Sequence, residues 1–258
     1  MTEASTPSQP DASPGRPRAG SLLVFLVVVL IGAVMRVGLA RGPELIAPAP
    51  DPRGFRFQRV DAATGMPVRY NPCAPVHYTI NPALAPKTAI SDVHTAFEIT
   101  GGATGIDFVF DGTTTEAPSL ERISYRPSSY GRRWAPILIA FTNGAPSLDG
   151  NTEVDGKHTI GQAGSSYEVN DAGAAVFVTG TAVFDAGARL TPGFGKQTWG
   201  QLILHELGHV VGLGHVENPE SVMNDTIDVS HSAWGPGDRA GLWELGDGGS
   251  CIDTPPLP

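Results

Sequence analysis

This sequence lacks a basic surface. Its 258 residues carry 17 Lys and Arg against 26 Asp and Glu, a net charge of −9. Nucleic acid is thereby excluded as a partner, because a phosphate backbone is held by clustered cations. The acidic residues are spread along the chain and read as a solvated surface, not as a docking site for one basic partner. Cysteine is nearly absent: Cys73 and Cys251 are the only two, too few for a disulfide-dense scaffold. No internal repeat is present, which removes solenoid and propeller architectures. No uninterrupted apolar run reaches the roughly 20 residues of a membrane-spanning helix. Glycine (32) and proline (23) are plentiful. That composition suits a loop-rich globular domain and falls short of a disordered one.

The N-terminal region differs from the rest. Residues 1–20 are rich in Ser, Thr, Pro and Ala and read as a disordered tail. Arg16 and Arg18 then precede an apolar run, LLVFLVVVLIGAVM, at residues 22–35. Its length suits the core of a signal peptide. Continued through Arg36 to Ala40, it is long enough to cross a bilayer if Arg36 snorkels. Gly38 and Ala40 are small enough for a cleavage site before Arg41. Residues 21–40 are read as a signal anchor contacting the membrane. A cleaved signal peptide is the alternative, and a buried core helix is the bland reading. Arg16 and Arg18 favour an inside N-terminus, although Arg36 and Arg41 weaken the asymmetry. Either export route places the remainder outside the cytoplasmic membrane, anchored or secreted. Residues 41–54, RGPELIAPAPDPRG, form a Pro-rich linker, and 55–258 form the folded domain. An exported chain with an even cysteine count suggests a disulfide, here Cys73 to Cys251. Closing so long a loop is worth about 4–5 kcal/mol by chain entropy. Two free thiols are the alternative.

The densest chemistry lies at residues 205–215, HELGHVVGLGH. The apolar stretch before it, TWGQLIL, predicts a buried helix over about 198–211. Helix positions four apart share a face, so His205 and His209 project side by side toward one cation. Glu206 is one step round from His205 and can face the cleft without ligating, which suits a general base. Gly212 stands where a helix ends in a left-handed residue. A sharp turn there brings His215 back as a third ligand. Three protein ligands and an open fourth position describe a catalytic zinc site, not a structural one. The bland reading is a buried helix with incidental histidines.

The pattern H-E-x-x-H-x-x-G-x-x-H resembles that of the metzincin zinc peptidases. Met223, in HVENPESVMN, stands where that clan has its methionine turn, at a spacing similar to that of the matrixin branch. Alone, Met223 would be plain core. The resemblance implies His205, His209 and His215 as zinc ligands, Glu206 as catalytic base and Met223 as the floor of the site. It extends architecturally over about residues 55–251, and a minimal bacterial matrixin-like protein is the nearest pattern. It also implies an α+β fold: a small twisted mixed sheet, a packing helix, the zinc helix, the methionine turn and a C-terminal helix. The chain departs from the pattern in several places. No Pro-Arg-Cys-Gly latency segment is present, and NPCAP around Cys73 lacks that Arg and Gly, although a latency thiolate at Cys73 remains a rival to the disulfide. Between the first helix and the zinc helix only His158 offers an imidazole, so the structural zinc of vertebrate matrixins has no ligand cluster. Val216 and Asn224 replace the usual Ser and Tyr.

Periodicity gives the remaining elements. Residues 55–59 and 67–70 predict a hairpin around DAATG. Strands are expected at 76–80, 106–110, 137–141, 161–169 (the edge) and 175–184, the last with an irregularity at Gly180. A helix is expected over 88–100, ended by Gly101 and Gly102, and another at 235–246. The Gly-rich segments 144–160 and 185–197 resemble the calcium-binding loops of matrixins. Asp149, Asp155, Asp171 and Asp185 are the possible Ca2+ ligands, against the plain reading of solvated carboxylates. His77 and His94 read as surface or satisfied core groups, and His231 as a loop residue or a substrate contact. The function this implies is a zinc-dependent endopeptidase acting on extracytoplasmic proteins or peptides, expected as a monomer. The alternative is an inactive zinc-containing domain that binds peptides or envelope components at the membrane.

Overall fold

A computed structural model describes residues 42–119, 122–144, 159–224 and 233–258, and the backbone of 153–154 and 157–158. The tail and the apolar run at 22–35 lie outside the described residues. Among the described residues, no helix is long and apolar enough to cross a membrane. Gly42–Pro258 forms one compact unit.

Its centre is a five-stranded mixed sheet. The strands are β3 (Val76–Ile80), β4 (Phe108–Thr113), β5 (Ile137–Thr142), β8 (Gly161–Val169) and β9 (Ala175–Asp185). Their spatial order is β4-β3-β5-β9-β8. β3 runs parallel to β4 and β5, and β5 parallel to β9. Only β8 is antiparallel, paired with β9 at the edge. Two short pairs stand apart: β1 (Leu45–Ile46) with β2 (Val60–Asp61), and β6 (Glu153–Val154) with β7 (Lys157–His158). Central parallel strands are covered on both faces. Accordingly Ile137, Leu138, Ile139, Ala140 and Phe141 of β5 are all buried.

The helices are α1 (Ala89–Thr104), a single turn α2 (Pro127–Tyr130), α3 (Trp199–Val211) and α4 (Pro236–Leu245). Val93, Ala96 and Phe97 of α1 join one core with Ile139, Phe141, Leu202, Ile203 and Leu207. The helix does not stop at Gly101–Gly102. It runs to Thr104 and ends at Gly105, which is left-handed (φ 73°). The hydroxyls of Thr100 and Thr104 are buried by donating to Ala96 O (2.8 Å) and Thr100 O (2.9 Å). A Cβ at Gly101 would meet Ile106 O at 3.1 Å, so that glycine serves close packing instead of termination.

The sequence also misled at two other points. The turn at DAATG forms, with Asp61 Oδ1 accepting from Ala63 N and Thr64 N. The hairpin pairs next to that turn, where Val60 bridges Pro67 and Val68 N donates to Arg59 O (3.1 Å), but it does not continue through residue 55; Phe57 instead bridges Leu213 just beyond α3. In the β8–β9 ladder the register shifts between Ser166 and Tyr167. Gly180 is regular there and is required by crowding: a Cβ would lie 2.6 Å from Ser165 Oγ and 3.0 Å from the Tyr70 hydroxyl.

The long connection from β4 to β5 holds a buried ionic cluster that periodicity could not reveal. Arg122 donates to Glu116 (2.8 Å), to Thr179 Oγ1 (2.7 Å) and to Pro136 O (2.7 Å). Arg126 Nη1 lies 2.5 Å from the same Glu116 carboxylate, which also accepts from Tyr130. A buried pair keeps its value only when its remaining groups are satisfied, as they are here.

Cys73 and Cys251 are joined as a disulfide, with Cα atoms 5.4 Å apart across a separation of 178 residues. That removes Cys73 as a metal-bound thiolate and leaves no free thiol. Asn71 Oδ1 accepts from Ile252 N (3.3 Å) and Arg69 donates to Ser250 O (2.5 Å), so the tail is also fastened by hydrogen bonds. Replacing both cysteines by Ser is expected to lower stability by up to about 4–5 kcal/mol. Denaturant melts of the variant and the oxidised parent measure it; coincident curves would refute a stabilising crosslink.

Candidate metal centre

The α3 helix forms where the sequence predicts. Thr198 caps it, its hydroxyl accepting from Gln201 N at 3.3 Å, which satisfies one of the free N–H groups of the first turn. Trp199, Leu202, Ile203, Leu204, Leu207, Val210 and Val211 are buried, so the helix is embedded nearly all round. Gly212 ends it at φ 120°, with a Cβ position 3.2 Å from Val68 O and 3.3 Å from Phe177. A side chain there would be strained and crowded. The chain turns at this glycine and returns His215 toward the helix.

The three imidazoles converge. His205 Nε2 lies 3.1 Å and His209 Nε2 3.0 Å from His215 Nε2, and the group's ligand atoms all fall within 4.8 Å. Partners on the far side of two rings fix their tautomers. His205 Nδ1 donates to Val222 O (2.7 Å) and His209 Nδ1 donates to Leu213 O (2.8 Å). A carbonyl oxygen only accepts, so each Nδ1 carries the proton and each Nε2 presents a lone pair. Burial, then the neighbouring His205 and His215, holds the His209 pKa well below the usual imidazole value. Protons are thus disfavoured where the rings meet. Tetrahedral zinc with bonds of about 2.0–2.1 Å places ligand nitrogens about 3.3 Å apart. The donor type, tautomers and spacing fit such an ion.

Glu206 is 4% exposed, and burial pushes its carboxyl up to about 8. Its Oε2 is buried and has no hydrogen-bond partner among the described residues. The first residue of β8, Gly161, lies against it, with a Cβ position only 2.5 Å from Oε1. The edge strand therefore passes directly beside this carboxylate, and only glycine permits it.

Met223 is buried beneath α3. A Cβ on Gly208 would lie 2.2 Å from its sulfur and 3.2 Å from Trp234. The turn carrying it is held from α4. Buried Asp238 accepts from Val222 N (2.8 Å), from Gly235 N (2.9 Å) and from the Ser221 hydroxyl. Ser221 Oγ in turn accepts from Met223 N (2.9 Å). Asp238 thus fixes the 221–222 peptide directly and, through the Ser221 hydroxyl, the 222–223 peptide whose carbonyl orients His205. The sequence marked Asp238 only as an acidic residue in a first helical turn. Its reach to the methionine turn depends on tertiary packing that no local pattern records. Gly161 and Gly208 were likewise invisible, because a glycine's neighbours are long-range.

Among the described residues, His205, His209 and His215 are the one group placed to share a metal ion. Asp171 is exposed in the turn before β9, while Asp185 ends that strand. Thirteen residues lie between them, ten of them in the extended strand β9. Asp185 Oδ1 accepts from Gly187 N (2.8 Å) and Gly144 N (3.0 Å), a loop-closing role. Asp149, Asp155 and His231 lie outside the described residues. His77 pairs with Asp111 (2.7 Å) and His94 with the Tyr78 hydroxyl (2.8 Å), both satisfied without metal.

Gly208→Ala is expected to cost about 1–3 kcal/mol by overpacking against Met223. Thermal unfolding of the metal-free protein reads this; an unchanged midpoint would mean Met223 is not packed under the helix.

Residues 76–245 match the family described as matrixin. No curated protein gives a significant match. The family match spans β3 through α4 and includes all three converging histidines, Glu206 and Met223. The chain belongs to the matrixin family, whose members are zinc metallopeptidases.

Proposed function

We propose that this chain is an endopeptidase whose zinc is held by His205, His209 and His215, with Glu206 as the general base. The observation that carries the reading is the meeting of His205 and His209 Nε2 with His215 Nε2, at 3.1 and 3.0 Å, beside a buried carboxylate. Zinc in that tripod supplies a Lewis acid that polarises the scissile carbonyl and acidifies water.

The chain's own groups do the rest. Val222 O and Leu213 O hold two rings in the tautomer that ligates. Glu206 Oε2 has a lone pair with no protein donor on it, so it can take a proton from the attacking water and return it to the leaving amine. Its burial makes the carboxylate basic when no cation is near. The outer edge of β8 is free of any other strand of the sheet, and Gly161 starts it against Glu206. An extended peptide can add along that edge through main-chain hydrogen bonds. These contacts recognise backbone, which suits a protein or peptide substrate.

The substrates are extracytoplasmic in this reading. Arg16, Arg18 and the apolar run at 22–35 support export with a membrane tether or a cleaved signal. The Cys73–Cys251 disulfide favours an oxidising compartment.

Glu206→Gln preserves size and removes the base. The variant is expected to retain zinc while losing at least about 100-fold in cleavage of an unfolded protein, in line with general-base catalysis. A chelator should abolish parental cleavage and added zinc restore it. Parental rates in Glu206→Gln would refute the assigned base and favour a different catalytic group.

A further inference from the structure

The turn that carries His215 is completed by a piece of chain far upstream, outside the matrixin-matched residues 76–245. Phe57 forms an antiparallel bridge with Leu213. Gln58 N donates to Gly212 O and Gly214 N donates to Arg56 O, both at 2.7 Å. These two bonds flank Leu213. The same residue donates its N–H to Gly208 O (2.8 Å) and offers its carbonyl to His209 Nδ1. One tripeptide, Gly212–Gly214, therefore touches the tautomer lock of His209 on one side and His215 on the other. Gly212 O and Gly214 N, on either side of Leu213, are taken by residues 56–58.

Side chains clamp this strap in place. Phe55 is 2% exposed, and a Cβ on Gly241 of α4 would lie 2.8 Å from both its ring and Leu213. Phe55 thus fills the space between α4 and the ligand turn. Its ring also contacts Phe57, with centroids 5.1 Å apart, and carries the Arg53 guanidinium 4.8 Å above it. Arg53 continues to Glu244 of α4 at 2.5 Å. The backbone of Gly54 lies so close to Gly237 that a Cβ there would fall 2.2 Å from Gly54 O.

We propose that residues 54–58 are a positioning element of the metal centre, with Phe55 as its anchor: they hold the 212–214 turn so that the Nε2 atoms of His209 and His215 meet. This rests on the reading of His205, His209 and His215 as zinc ligands. The strap touches neither metal nor substrate; it acts through Leu213 and Gly214. Groups that orient metal ligands from behind typically set affinity by about 10–100-fold. A merely structural strap would instead lower stability and leave affinity alone.

The test uses the full chain stripped of metal, with zinc affinity measured by chelator competition and the unfolding midpoint measured on the same metal-free samples. Phe55→Ala and the milder Phe55→Leu are compared with Val76→Ala, a core truncation on β3, which β5 separates from β9. Phe55→Ala should weaken zinc binding about tenfold or more, and Phe55→Leu should weaken it in the same direction. Val76→Ala should lower the midpoint and leave zinc affinity at the parental value. Should Phe55→Ala fail to fold, Phe55→Leu decides the matter by the same reading. Parental zinc affinity in the Phe55 variants, with only a lowered midpoint, overturns the positioning role while leaving the tripod intact. A parent that binds no zinc overturns the tripod itself and the strap with it.

Discussion

Three imidazole nitrogens gathered about one point, those of His205 and His209 lying 3.0–3.1 Å from that of His215, are a constraint that the rest of this molecule accommodates. The inner nitrogens of His205 and His209 both present lone pairs there, and burial and the neighbouring rings oppose protonation of His209. A Lewis acid resolves the conflict, since a divalent cation needs three such donors at this spacing. Two carbonyls, of Val222 and Leu213, keep the lone pairs on the inner nitrogens. Each belongs to a turn, and each turn is pinned from elsewhere. Val222 is held by Asp238 of α4, and Leu213 is flanked by hydrogen bonds from residues 56–58.

Close approach of backbone makes this possible, and glycine permits it. Gly208 admits Met223 under the helix, and Gly161 admits the edge strand beside Glu206. Gly212 adopts a left-handed φ and turns the chain back. A methyl group would crowd Met223 and Trp234 at Gly208, the Glu206 carboxylate itself at Gly161, and Val68 O and Phe177 at Gly212. The high glycine content read from the sequence as loop richness is thus partly a packing requirement of the site. The apolar burial of α3 supplies the stiffness: with nearly every non-ligand position in the core, His205 and His209 sit on an element that cannot rotate independently.

Local chemistry was legible in the sequence. The spacing of His205, His209 and His215, the end of α3 at Gly212 and the strands with β-branched or aromatic repeats depend on residues near one another along the chain. The α+β architecture followed from their order, and the family match supports it. Long-range relations were not legible. Gly101 and Gly102 have the form of a helix stop, yet α1 runs on to Thr104, whose carbonyl accepts from Asp247 N (2.7 Å) just past α4. Arg59 pairs with Val68 as a hairpin would have it, but the partner of Phe57 is the turn after α3, more than 150 residues away by sequence number. Arg122 and Glu116 gave no periodic signal, because their partners lie on separate strands and loops. The bonds by which Asp185 Oδ1 closes its loop, from Gly187 N and Gly144 N, were not legible either, because they depend on the folded path of two separate segments.

The central claim is that these three rings grip a single zinc ion. Anomalous diffraction from crystals of the purified chain, recorded above and below the zinc absorption edge, tests it most directly. The account predicts one peak per chain, within about 2.0–2.1 Å of the Nε2 atoms of His205, His209 and His215. No peak among those rings, or a zinc ion bound only elsewhere in the molecule, would contradict it.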